Sequence, residues 1–242
     1  MTIRIAMWSG PRNISTAMMR SFGARDDCAV SDEPFYGAYL KATGEPHPMA
    51  AETIADMDCG WRSVLATQSG PAPGDAPVWY QKHMPHHMVG PVGIADMSGH
   101  RHAFLIRAPE RVVASYRKKN ELRRAEELGF AKLRAYFDAE RERSGALPPV
   151  VDSDDILADP AGILAKLCDA LGIGWNPAML SWEKGPHPED GAWGVHWYDA
   201  VNASTGFGAP SGPLPDLDGD YRAVAEECRA DYEYLAQHRI TA

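Results

Sequence analysis

Positive charge is scarce in this sequence: 24 lysines and arginines stand against 33 aspartates and glutamates over 242 residues, a formal charge of −9. A protein whose main ligand is nucleic acid needs the opposite balance, because phosphate neutralisation supplies most of that affinity. A small anion needs only a local cluster of donors. Cysteine is also sparse. Cys28, Cys59, Cys168 and Cys228 lie far apart with no C-x-x-C spacing, which excludes a disulfide framework or a zinc site as the organising device. The nine histidines form no ligand-spaced set either, so no metal is expected. No apolar stretch approaches the roughly 20 residues of a membrane helix, and the start, MTIRIAMWSG, has too short an apolar run for a signal peptide. A soluble cytoplasmic protein is the expectation. Internal repeats, low-complexity tracts and linkers are missing as well, so residues 1–242 are read as one domain.

What is present alternates. With 45% hydrophobic residues, a sizeable core is available. An Ile-rich run over residues 2–8 reads as a buried strand, and Ala, Met and Arg over 15–22 as a helix. Further strands are expected at 28–31, 78–80, 102–107 and 148–151. Helices are expected at 52–65, from 111, at 130–143 and at 220–237. Asp159 and Pro160 read as the N-cap and first residue of another helix, with Ile163, Leu164, Leu167 and Leu171 on its buried face and Gly172 ending it. Residues 185–215, rich in Gly, Pro, Trp and His, read as a long ordered loop. Strand and helix in alternation imply an α/β fold with three layers: a mostly parallel central sheet with helices on both faces.

In such sheets ligands collect where strands end and helices begin. The first such place is Ser9-Gly10-Pro11-Arg12-Asn13-Ile14-Ser15-Thr16. Its backbone N–H groups and the following helix start can converge on an anion; Arg12 adds a charge, Ser15 and Thr16 hydroxyls. A nucleotide-hydrolysing P-loop would read G-x-x-x-x-G-K-[ST]. Counted from Gly10, Ser15 stands at the second glycine and Thr16 at the lysine. An ordinary strand-to-helix turn with a Ser/Thr cap is the plainer alternative. The second place is His102-Ala103-Phe104-Leu105-Ile106-Arg107-Ala108-Pro109-Glu110, with Ser115 eight residues after Arg107. Both side chains could reach one phosphate, unless Arg107 merely pairs with Glu110.

These two stretches resemble the phosphate motifs of sulfotransferases that use 3′-phosphoadenosine 5′-phosphosulfate (PAPS). The loop is similar to the 5′-phosphosulfate loop, with Arg12 in place of its lysine and Ser15 and Thr16 as the hydroxyl pair. Arg107 and Ser115 match the 3′-phosphate motif. The resemblance spans most of the chain, including Asp169-Ala170-Leu171-Gly172-Ile173, but only the phosphate motifs are specific. It implies a P-loop-type fold, PAPS as co-substrate without a metal, and a cofactor site formed by Gly10, Pro11, Arg12, Asn13, Ile14, Ser15, Thr16, Arg107 and Ser115. The Gly- and Lys-containing segment that covers the 3′-phosphate in cytosolic members has no counterpart; Ser204 and Thr205, in the 197–207 loop, are candidates to replace it.

Sulfuryl transfer needs a base for the acceptor and a cation for the leaving oxygen. Two residues compete as base. Glu33, in Asp32-Glu33-Pro34-Phe35-Tyr36, resembles the catalytic glutamate of the trehalose and heparan sulfate enzymes. His83, in Lys82-His83-Met84-Pro85, resembles the catalytic histidine of the cytosolic ones, unless Lys82 takes that region's lysine position. Lys82 and Arg12 are the expected stabilising cations. The expected partner is a small-molecule acceptor bearing a hydroxyl or amine, with no nucleic acid and no membrane, and a homodimer is left open. Trp61, Trp79, Trp182, Trp193, Trp197, Tyr36 and Tyr198 are either pocket walls or core. The alternatives on the same fold are a non-catalytic nucleotide-binding protein and a P-loop kinase.

Overall fold

Along the first apolar run both the odd and the even residues are partly or fully buried, the signature of a strand covered on both sides. In the computed structural model, which describes residues 2–122 and 124–241, it forms β1 (Ile3–Ser9) at the centre of a five-stranded parallel sheet. The other strands are β2 (Cys28–Asp32), β3 (Val78–His83), β4 (Arg101–Ile106) and β5 (Val150–Asp152). Their spatial order is β2-β3-β1-β4-β5.

The helices are α1 (Ser15–Gly23), α2 (Tyr36–Thr43), α3 (Ala50–Asp56), α4 (Trp61–Ser69), α5 (Pro109–Tyr116) and α6 (Phe130–Ser144). They continue with α7 (Ser153–Ala158), α8 (Pro160–Ala170), α9 (Gly194–Trp197), α10 (Asp199–Asn202) and α11 (Gly219–Ala236). Ile5 and Met7 pack with Met18, Met19 and Phe22 of α1 and Ile163, Leu164 and Leu167 of α8. Ala6 and Trp8 pack the other way, with Leu133 and Phe137 of α6 and Leu235 of α11. The layers are therefore helix, sheet, helix, as the alternation implied. None of the described helices is long and apolar enough to cross a membrane.

Strand pleating then decides which side chains share a face. On β3, Val78 and Tyr80 belong to the α1-side core, so Lys82 points to that face and His83 to the opposite one. On β4, Leu105 is on the α1 side, and Arg107, two residues on, follows it.

Three expectations need correction. The helical stretch expected at 52–65 is two helices, α3 and α4, broken at Met57-Asp58-Cys59-Gly60, where the Asp58 carboxylate accepts from the Gly60 N–H at 2.8 Å instead of letting the chain continue helical. A further helix, α7, precedes Asp159; Asp152 caps it by accepting from the Asp154 N–H at 2.8 Å. The 185–215 loop contains α9 and α10.

Asp159 does cap α8, its carboxylate accepting from the Gly162 N–H at 3.0 Å, with Pro160 at the first helical position. Asp159→Ala should cost about 1 kcal/mol, read as a lower urea midpoint at unchanged m-value, and Asp159→Asn should recover most of it.

Candidate active site

Because all five strands are parallel, their carboxyl ends lie along one edge, and β1 has β3 on one side and β4 on the other. A cavity of about 470 Å³ opens at that edge. Loop residues Pro11, Arg12, Ile14, Ser15 and Thr16 form its floor, Glu33 and Lys82 one wall, and Arg107 and Ser115 the other. Two residues of the loop, Arg12 (φ 63°) and Ile14 (φ 57°), are in the left-handed region, a costly place for a β-branched side chain and one usually maintained for function. Gly10 permits the bend: a Cβ there would run into the Leu128 carbonyl oxygen. No side chain caps α1, so the Ser/Thr-capped turn is not what forms; the first-turn N–H groups lack intrahelical partners, and their residues Ser15, Thr16 and Ala17 line the cavity.

The structure joins the two phosphate motifs into one cradle. Arg12 Nε donates to Ser115 Oγ at 3.0 Å, and Arg107 Nη1 donates to the Arg12 carbonyl at 2.8 Å. Arg107 does not pair with Glu110, which is bound instead by Arg229 at 2.5 Å. Among the described residues neither Arg12 nor Arg107 makes a salt bridge, and Arg107 Nε is buried with no hydrogen-bond partner. Burial pushes both guanidinium pKa values down, outweighing the opposing carboxylates of Asp199 for Arg12 and Asp154 for Arg107; the Arg111 and Arg12 charges push Arg107 the same way as burial. Two desolvated cations with no salt-bridge partner among the described residues, in an acidic chain, mark an anion site.

The opposite wall is an ion cluster. Lys82 is 1% exposed, and its Nζ lies 2.8 Å from Asp32 Oδ1, 2.7 Å from Glu33 Oε1, 2.6 Å from Tyr198 OH and 3.3 Å from Thr16 Oγ1. Burial alone would lower the Lys82 pKa, but Asp32, Glu33 and Tyr198 outweigh it and raise it well above the usual amine range. Burial, reinforced by Asp32 and opposed by Lys82, raises the Glu33 carboxyl. Glu33 also adopts φ 45°; its side chain lines the cavity and converges with that of Asp32 on Lys82 Nζ.

His83 lies elsewhere. It is outside the cavity lining, stacked on Trp8 at 4.7 Å with Nε2 at 3.2 Å from Gln81 Oε1. The histidine beside Glu33 is His87, whose Nδ1 lies 3.6 Å from Glu33 Oε2 and whose pKa is pushed well below the usual imidazole range, by burial first and then by neighbouring charges. Sequence reasoning passed over His87, as it did the pairing role of Asp32; only the run Lys82-His83-Met84-Pro85-His86-His87 hinted at the former.

The roof comes from the 185–208 region. Trp193, Trp197, Tyr198 and Phe207 line the cavity, as does Tyr36, whereas Trp61, Trp79 and Trp182 do not. Ser204 lines it too, but its hydroxyl donates to the Val201 carbonyl at 2.7 Å and accepts from Trp182 Nε1 at 3.2 Å. Thr205, Gly10 and Asn13 stay outside the lining; Asn13 is buried and donates to the Leu105 carbonyl at 3.2 Å. Among the described residues no group of three or more His, Cys, Asp or Glu side chains is placed to hold a metal.

Comparison with known proteins gives this arrangement a context. The sulfotransferase domain family matches residues 3–228. A curated relative from Arabidopsis thaliana, branched-chain-amino-acid aminotransferase-like protein 2, is 34% identical over 234 residues, 97% of this chain and 41% of that protein. Its companion, protein 1, is 36% identical over 206 residues, 85% of this chain and 37% of that protein. The chain thus spans about two fifths of the curated relatives it matches. In fold it is similar to the sulfotransferase domain from the curacin biosynthetic pathway, with a TM-score of 0.54 and 12% identity over 95% of this chain and 98% of that one. A sulfotransferase from Alicyclobacillus acidocaldarius gives the same TM-score of 0.54 and 12% identity, covering 99% of this chain and 98% of the other.

Removing one partner of a buried ion cluster leaves the others uncompensated, so Lys82→Met should cost about 3–5 kcal/mol at neutral pH. The loss should shrink on acidification. Without Lys82, whose charge holds the Glu33 carboxyl down, that carboxyl rises further than in the parent, so on acidification the variant's fold gains more from proton uptake than the parent's does. Urea unfolding at neutral and mildly acid pH measures both; a loss that grows as pH falls would contradict this electrostatic account.

Proposed function

This chain belongs to the sulfotransferase domain family, and we propose that it transfers a sulfuryl group from PAPS to a hydroxyl or amine of a small-molecule acceptor. The observation that carries the proposal is the meeting, in one cavity, of two unpaired, desolvated arginines with a Lys82–Glu33 pair. A nucleotide bisphosphate fits the first feature. The orphaned Arg107 Nε, the Ser115 hydroxyl and the open start of α1 are donors in search of anionic oxygens. Arg107 and Ser115 would hold the 3′-phosphate, and Arg12, Ser15, Thr16 and the loop backbone the 5′ group.

Bound there, PAPS supplies an activated sulfur whose bond to the 5′-phosphate oxygen breaks as a bond to the acceptor oxygen or nitrogen forms. The chain's residues divide the work on either side of that exchange. Glu33 takes the acceptor proton; burial raises its carboxyl, which makes the carboxylate a stronger base, and it stands at the cavity wall. Lys82 and Arg12 face the charge gathering on the leaving phosphate. Neutral His87 beside Glu33 can orient the acceptor. His83, on the far face of the sheet, has no part in this assignment. A second reading is favoured by the Glu33–Lys82 contact at 2.7 Å, which ties up the base: a protein that binds the nucleotide without turning it over.

Calorimetry with 3′-phosphoadenosine 5′-phosphate, without magnesium and with ATP as control, tests the donor site. Micromolar binding that prefers the bisphosphate, weakened at least about tenfold by Arg107→Ala as expected for a lost charge-assisted contact, supports the proposal. Binding of ATP only, and only with magnesium, contradicts it and favours a kinase.

Glu33→Gln should abolish turnover while leaving bisphosphate binding intact. In the parent protein kcat/KM should rise with pH through an acid limb lying above the ordinary carboxylate range, because the base works only once its raised carboxyl has lost its proton. Full activity in Glu33→Gln would remove it from the mechanism.

A further inference from the structure

The Lys82 ammonium has three protons and four oxygens within reach. Three of them, on Asp32, Glu33 and Thr16, belong to the sheet edge and α1. The nearest, the Tyr198 hydroxyl at 2.6 Å, belongs to the segment that roofs the cavity. That hydroxyl is fully engaged: it accepts from Lys82 Nζ, accepts from Trp193 Nε1 at 3.0 Å and donates to Asp32 Oδ2 at 2.7 Å. All four residues are buried. Asp32 is tied to the roof a second time, its Oδ2 accepting from the Gly191 N–H at 3.4 Å.

The same segment is fastened to α1 by a separate clamp. Arg20 holds Asp190 with two hydrogen bonds of 2.6 Å, the pair only 2% and 8% exposed, and reaches Asn202 Oδ1 at 3.2 Å. Asp190 adjoins Gly191, and Asn202 closes α10, so the clamp grips the segment on both sides of Tyr198. A displacement that opens the clamp therefore withdraws the Tyr198 hydroxyl from Lys82 and both roof contacts from Asp32.

We propose that Tyr198 is a positioning residue for sulfuryl transfer: it fixes the Lys82 ammonium from the roof, so the aim of that cation depends on the 190–202 segment being closed. This rests on Lys82 being the cation that serves the leaving group. With the roof closed, three short bonds allow the ammonium one orientation beside Thr16. With the roof displaced, the ammonium keeps the two carboxylates and the longer Thr16 contact at 3.3 Å but loses its shortest bond, so its orientation is no longer fixed from the roof. Transfer to water while the cavity is open is thereby suppressed, because the leaving group then lacks a fixed counter-charge.

The test compares the parent protein with Tyr198→Phe, Asp190→Asn and the double variant. The probes are PAPS for initial rates at saturating acceptor, or with water as acceptor, and 3′-phosphoadenosine 5′-phosphate for binding. Tyr198→Phe should lower kcat roughly 10- to 100-fold, the scale on which misplaced groups cost rate, with bisphosphate Kd unchanged to within about twofold. Asp190→Asn should show part of the same loss, and the double variant should be no slower than Tyr198→Phe, since both act through one contact. Tyr234→Phe, which removes a hydroxyl bound to Asp138 on the outer helices, should match the parent. Should Tyr198→Phe not fold, Trp193→Phe removes one donor to the same hydroxyl and should give the same split on a smaller scale. Parental kcat in Tyr198→Phe, a Kd that rises as far as kcat falls, or losses that multiply in the double variant would overturn the proposal. A parent protein that neither binds the bisphosphate nor turns over PAPS would instead remove the donor reading beneath it.

Discussion

The burial of Lys82 is the constraint around which the site is organised. An ammonium at 1% exposure is tolerable only if its protons are taken and its charge is balanced, and the chain meets both demands from three directions. Asp32 is the cross-strand register partner of Lys82 on the parallel β2–β3 pair, so sheet pairing itself delivers the first carboxylate. Glu33, the next residue, donates its backbone N–H to the Lys82 carbonyl at 3.0 Å, which anchors the turn where φ becomes positive. Tyr198 supplies the third oxygen from a segment more than a hundred residues on. Removing any of these leaves a charge or an N–H without a partner, so strand register, turn geometry and roof are interdependent.

This placement also explains how the chain does without a lysine in its first loop. In a nucleotide-hydrolysing P-loop the cation rides on the helix that follows the loop. Here that position holds Thr16, and the cation approaches Thr16 Oγ1 from the neighbouring strand at 3.3 Å. Charge is thus divided by element: Arg12 from the first loop and Arg107 from the turn after β4 on one side, Lys82 from β3 on the other. Two of the three are unpaired and the third is balanced by carboxylates. The unpaired arginines suit groups that remain anionic throughout a reaction, while a cation already shared with two carboxylates suits charge that appears only as a bond breaks. That asymmetry sits within a chain of net charge −9, where a local positive field must be built and cannot be inherited from composition.

Much of this was legible in the sequence wherever the signal was local. The run at 2–8, the α8 cap at Asp159-Pro160 and the stop at Gly172 needed only periodicity and turn chemistry, and Gly172 indeed takes φ 61°. The Arg107–Ser115 spacing brought both groups to one cavity because strand, turn and helix have fixed lengths. What was not legible depended on parity or on distance along the chain. Lys82 and His83 are adjacent, and without the strand's register either could have faced the ligand; pleating gives the cavity to one and the core to the other. Asp32 beside Glu33 gave no sign that both would converge on Lys82, Asp32 from its register position and Glu33 from the cavity wall. The clamp between Arg20 and Asp190 spans 170 residues, and no local pattern announces it. Helix α7 was hidden because Asp152-Ser153-Asp154-Asp155 reads as a polar turn until Asp152 is seen to cap it.

The left-handed backbone at Arg12, Ile14 and Glu33 belongs to the same account. Each is a non-glycine residue held where side chains are disfavoured, by something of order 1 kcal/mol or more, and each borders the cavity. A glycine at these places would relieve the backbone but forfeit what the side chain does: Arg12 would lose its bond to Ser115, Ile14 its packing against the α1-side core, and Glu33 its carboxylate. Met49 and Asp75 share the left-handed backbone away from the cavity, so the positive φ marks the site only at Arg12, Ile14 and Glu33, where the side chain is needed as well. The cost is met elsewhere, in the apolar layers that bury β1 on both faces and β3 on the α1 side and so hold the strands from which these loops spring.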